Sequence, residues 1–148
     1  MNLDSSGERG EAQVAEELTG LLGHAPAEWS AETLTHNVYS AVTAGIWRIR
    51  AGSASVVVLK VISSAGTAAS EEWSSSEYSS HWNFWEREAL AYEQGVTTVY
   101  SEAGISSPRL LALNRRPNGD VALWLEDVHS GGDSVPGTRP SHTNGSAT

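Results

Sequence analysis

Ser55-Val56-Val57-Val58-Leu59-Lys60-Val61-Ile62 is a continuous apolar run interrupted by one charge, and that charge is the single lysine of the 148-residue chain. The run is short, β-branched and bounded by turn residues, so it predicts a buried strand. Strand alternation places Val56, Val58, Lys60 and Ile62 on one face and Val57, Leu59 and Val61 on the other. Both faces are therefore apolar except at Lys60. An ammonium group is costly inside a core. Either the side chain runs its methylenes out to water near a strand end, or it serves to bind a phosphate.

Upstream, Val38–Thr43 and Ile46–Arg50 carry β texture, separated by Ala44-Gly45 and followed by Ala51-Gly52-Ser53-Ala54. Such short connections predict three sequential antiparallel strands, with Gly45 in the first turn. Downstream, Ser63–Ser80 is rich in Ser, Ala, Gly and Glu and is expected to form a long mobile loop. His81–Glu93 lacks Gly and Pro and repeats Trp82, Trp85, Ala89 and Tyr92 at helical spacing, so the spacing predicts one helix, ending near Gly95. Arg109–Asn114 and Val121–Glu126 flank the turn Pro117-Asn118-Gly119-Asp120, the pattern of a hairpin. Before all of these, Val14, Leu18, Leu21 and Leu22 mark an amphipathic helix over Glu11–Leu22, expected as an accessory element. The fold class is α+β, with a five-stranded antiparallel sheet and one packed helix.

Composition narrows the chemistry. With no cysteine, disulfides, thiolate metal sites and cysteine nucleophiles are excluded together. A formal charge of −9 with nine basic residues argues against a phosphate-tracking surface for nucleic acid. No segment approaches the ~20 apolar residues of a membrane span, and Met1–Gly10 resembles no leader, so a cytoplasmic setting without membrane contact is expected. Seven acids precede residue 37 against Arg9 alone, which concentrates the negative charge at the N-terminal end.

A meander whose third strand bears a lysine, a glutamate-rich helix and a hairpin ending in Leu-Glu-Asp-Val follow one another in the order of a kinase small lobe. The segments GIWRIR, VVVLKVI, HWNFWEREALAYE, SPRLLAL and ALWLEDV resemble the N-terminal lobe of the aminoglycoside phosphotransferase family, within the protein-kinase-like fold. The resemblance spans residues 38–128, with 1–37 as helix and linker and 129–148 as a disordered tail or truncation scar. It implies that Lys60 contacts the α- and β-phosphates of ATP and that Glu88 holds Lys60 in place. Helical periodicity alone does not choose between Glu86 and Glu88. The resemblance further implies that the turn at Gly45 covers the phosphates. It also makes Glu126-Asp127-Val128 the hinge, with the Glu126 carbonyl and the Val128 N–H pairing with adenine. An ordinary hairpin turn at Gly45 fits the residues equally.

In that family the catalytic aspartate and the Asn and Asp that hold Mg²⁺ lie in a large C-terminal lobe beyond the hinge. The expectation is an ATP-binding small lobe, inactive by itself, that ends before them. The acceptor would be a small-molecule hydroxyl whose identity the residues do not reveal. His129-Ser130-Gly131-Gly132-Asp133 lacks a downstream metal aspartate and reads as tail. An isolated lobe would expose the surface that meets its missing partner and so associate through it. The rival expectation is a noncatalytic protein- or glycan-binding module, suggested by six tryptophans. The five histidines show no H-E-x-x-H or related spacing, and no G-x-S-x-G elbow occurs, which sets aside metal and serine hydrolases.

Overall fold

The Lys60 strand is the middle of a five-stranded sheet, antiparallel throughout, whose strands lie side by side in the order Trp29–Thr33, Thr43–Ala51, Ser55–Ile62, Val121–Glu126 and Leu110–Arg115. The computed structural model describes residues 8–36, 41–53, 55–66 and 71–128. In chain order the elements are α1 (Glu8–Leu22), β1 (Trp29–Thr33), β2 (Thr43–Ala51), β3 (Ser55–Ile62), α2 (Arg87–Glu93), α3 (Val96–Glu102), β4 (Leu110–Arg115) and β5 (Val121–Glu126). A single 3₁₀ turn, Glu71–Trp73, precedes α2.

Two cores form, one on each face of the sheet. Val57, Leu59 and Val61 point to the first, with Trp47, Ile49, Ala122 and Trp124, and Val14 and Leu18 of α1 close it. Ile62 points to the second, with Val121, Leu123 and Leu125, and Trp85 and Ala89 cover it. Burying one such large side chain contributes about 1.5–3 kcal/mol. The N-terminal helix expected as accessory therefore supplies core. Its acidic first turn, Glu8 and Glu11, suits the positive end of the helix dipole, and Gly23, at φ 79°, terminates it with an N–H bond to the Thr19 carbonyl at 2.9 Å.

Three expectations need correction. The first strand is Trp29–Thr33, not Val38–Thr43: Thr43 opens β2, and residues 37–40 lie outside the described residues. As an edge strand, β1 sends only Trp29 and Ala31 to the core, so it lacks a long apolar run. The helix begins at Arg87 rather than His81. Ahead of it, Ser76 N–H bonds the Asn83 carbonyl and Trp85 N–H the Ser76 carbonyl, both at 3.0 Å, while the Asn83 carboxamide caps the Trp73 and Ser74 carbonyls. These bonds draw the backbone away from helix and give part of the supposed loop a fixed course, with a parallel bridge between Ser76 and Phe84. The helix ends near Gly95 as expected, where the glycine adopts φ 73°, and a further helix, α3, follows it.

The hairpin stands where its residues place it. Arg116 N–H bonds the Asp120 carbonyl at 2.8 Å, Asp120 N–H bonds Asn118 Oδ1 at 3.0 Å, and Gly119 takes φ 91°. No helix among the described residues is long and apolar enough to cross a membrane. The tail from residue 129, including His129–Asp133, lies outside the described residues.

Candidate functional site

Lys60 rises from β3 on the face that carries α2, with Ile46 of β2 and Leu123 of β5 directly beside it. Glu88, in the first turn of α2, meets it: Lys60 Nζ donates to Glu88 Oε2 at 2.5 Å. The two side chains are 21% and 35% exposed, so the pair is half-buried at the rim of the second core. One of three ammonium donors is used by this bond. A lysine anchored on a central strand and braced by a helix carboxylate holds a point charge in a set direction.

The choice between Glu86 and Glu88 is settled by an arginine that sequence reasoning missed. Arg115, at the end of β4, donates to Glu86 at 3.1 Å and to both carboxylate oxygens of Glu93 at 3.0 and 3.2 Å. Glu86 and Glu93 thus tie α2 to β4, and Glu88 is the acid turned to the sheet. One turn after Glu88, the Tyr92 hydroxyl donates to the Pro108 carbonyl at 2.9 Å. Burial, then the charges of Glu88 and Glu126, push the Tyr92 phenol above its ordinary pKa.

At the end of β5, Glu126 N–H bonds the Arg109 carbonyl at 3.0 Å, and the Glu126 carboxylate accepts the Arg109 N–H at 2.9 Å. Asp127 is nearly buried and accepts from Arg48 Nε at 2.9 Å; Arg48 also reaches Glu32 of β1 at 3.3 Å. The hydrogen bond to Asp127 leads the causes that hold the Arg48 guanidinium above its ordinary range. The strand exit is thereby tied across the sheet to β2 and β1, and Val128 beyond it is 58% exposed.

Gly45 is not in a turn. It lies within β2 opposite Val61, beside a register shift, and a Cβ there would come within 2.2 Å of the Trp47 ring. The indole packs over the glycine on the same strand face, so the space a phosphate would need at that Cα is occupied by Trp47. Among the described residues no group of three or more His, Asp or Glu gathers to hold a metal ion, and Glu88 is engaged by Lys60, so these residues do not fit Mg²⁺.

On the opposite face, Glu17 of α1 is the second feature that sequence reasoning missed. Its carboxylate takes two bonds from Arg116, at 2.8 and 2.9 Å, and one from the Trp124 indole N–H at 3.1 Å. An open groove of about 640 Å³ runs beside it between α1 and β4, lined by Gln13, Glu16, Leu21, Leu111, Asn114 and Pro117 among others. It lies on the α1 side of the sheet, away from Lys60. No family model, curated protein or solved structure matches the chain.

Proposed function

We propose that residues 38–128 are the nucleotide-binding small lobe of a phosphotransferase of the aminoglycoside phosphotransferase type, with a protein-kinase-like fold. The observation that carries this reading is the Lys60–Glu88 pair, a strand ammonium braced by a helix carboxylate at the rim of the second core. In that role Lys60 directs its remaining donors to the α- and β-phosphates of ATP, and Glu88 keeps the amine from swinging. Glu126 and Val128 offer backbone groups to adenine at the strand exit that Arg48 and Asp127 steady. The reaction served is transfer of the γ-phosphoryl group to a hydroxyl of a small molecule. In this reading Lys60 and Glu88 orient the nucleotide for that transfer.

Fluorescent ATP-analogue titration of the purified chain tests this reading. A charge-assisted hydrogen bond contributes about 1.5–3 kcal/mol, so Lys60→Ala should weaken binding by roughly 10- to 100-fold. Glu88→Gln keeps a hydrogen-bond acceptor and should weaken it less. Absence of binding by the wild-type chain, or binding indifferent to Lys60→Ala, would overturn the proposal.

A further inference from the structure

Between residues 71 and 82, three large aromatic side chains belong to neither core. Trp73 is 37%, Trp82 57% and Tyr78 78% exposed. Their placement is nevertheless fixed. The Trp73 and Trp82 rings meet edge to face at 5.6 Å, and the His81 ring lies 5.8 Å from Trp82. Beneath them Asn83 donates to the Trp73 carbonyl at 2.9 Å and the Ser74 carbonyl at 3.0 Å, and the Arg87 guanidinium donates to the His81 carbonyl. Aromatic rings held in water by an ordered backbone need little reorganisation to receive a partner, and Trp and Tyr dominate the energetics of protein contacts.

Charge identifies the partner's chemistry. Residues 71–82, Glu-Glu-Trp-Ser-Ser-Ser-Glu-Tyr-Ser-Ser-His-Trp, contain three glutamates and no Lys or Arg, and the Arg87 guanidinium that reaches this segment is set against the three carboxylates, leaving it net acidic. Glu71, Glu72 and Glu77 are all exposed beside the rings. We propose that this patch docks an arginine-rich segment of a partner polypeptide. Guanidinium planes stack on indole faces while carboxylates take their N–H groups in pairs, a combination an ammonium group matches less well. A second copy of the chain would bring the same acidic rim and a charge of −9 against it. A neutral glycan would use the rings and leave three carboxylates without partners. This inference stands apart from the nucleotide site.

Fluorescence anisotropy with labelled octa-arginine, at about 150 mM salt to screen diffuse attraction, tests it on the full chain. The expected result is saturable binding at least tenfold tighter than for octa-lysine. Trp82→Ala and Trp73→Ala should each weaken it about tenfold, and Glu77→Gln severalfold, while Glu11→Gln on α1 leaves it unchanged. Circular dichroism of each variant confirms the fold, and Glu77→Gln, which alters no packing, supplies an arm independent of the tryptophans. Equal affinity for octa-lysine, indifference to both tryptophan substitutions, or equal loss with Glu11→Gln would each overturn the proposal.

Discussion

Replacing Glu17 by alanine should be among the most damaging single changes in this chain. The Glu17 side chain is 4% exposed and Arg116 13%, and Trp124 is fully buried. Deleting the carboxylate leaves a guanidinium without its counter-charge and an indole N–H without an acceptor. Breaking a buried ion pair by removing one partner costs about 3–5 kcal/mol, and an orphaned buried donor about 1–3 kcal/mol. These overlap, and Arg116 retains some access to water, so the expected loss is about 3–4 kcal/mol. That is a large share of the ~5–15 kcal/mol that holds a domain folded, and it corresponds to a fall in Tm on the order of 10 °C. Urea unfolding followed by tryptophan fluorescence measures it, provided the slope stays constant. The double change Glu17→Leu with Arg116→Leu should recover part of the loss, because two apolar groups leave no charge stranded while the Trp124 indole N–H still lacks its acceptor. A loss under about 1 kcal/mol for Glu17→Ala would refute the idea that this triad locks α1 to the sheet.

Two further changes probe the other packing claims. Gly45→Ala forces the Trp47 ring to shift, since the new methyl would sit 2.2 Å from it; overpacking of this kind costs about 1–3 kcal/mol, and an unchanged urea midpoint would show that the ring yields freely. Tyr92→Phe removes the hydroxyl bond to Pro108, about 1 kcal/mol at neutral pH. Because the folded-state pKa of Tyr92 is raised, its stabilisation is whole below the ordinary tyrosine value and fades as pH climbs through the folded value. The difference in urea midpoint between wild type and Tyr92→Phe should therefore shrink with rising alkalinity; a difference constant with pH would contradict the raised value.

Much of the sheet was legible because its central strands are short, continuous apolar runs bounded by turn residues. Val121–Glu126 and Ser55–Ile62 stand where their apolar runs place them. The edge strand Trp29–Thr33 escaped because its alternation carries only two apolar side chains, Trp29 and Ala31, over five residues. Trp82 and Trp85 mimicked a helical stripe, yet Asn83 between them turns its carboxamide on the backbone, the competition that makes asparagine a poor helix interior. Lys60 announced itself as a charge in a core pattern, and its partner followed from resemblance rather than period. Glu17 could have been noticed by the same logic, since it shares the apolar stripe of Val14, Leu18 and Leu21. Its partners Arg116 and Trp124 are 99 and 107 residues away, so no local pattern names them.

The sheet has two open borders, and they are guarded differently. Along β1 the outermost residues are few and polar, and Glu32 presents a charge that an approaching chain must neutralise. Along β4 the sequence Leu-Leu-Ala-Leu is greasy, and the guard is geometric: the slip in pairing between Leu110 and Ala112 bends the strand away from the flat course that fibril-like growth demands. Straightening that kink would remove the main obstacle to copies of the chain zipping together, so conditions that anneal β4 are those under which the protein should come out of solution.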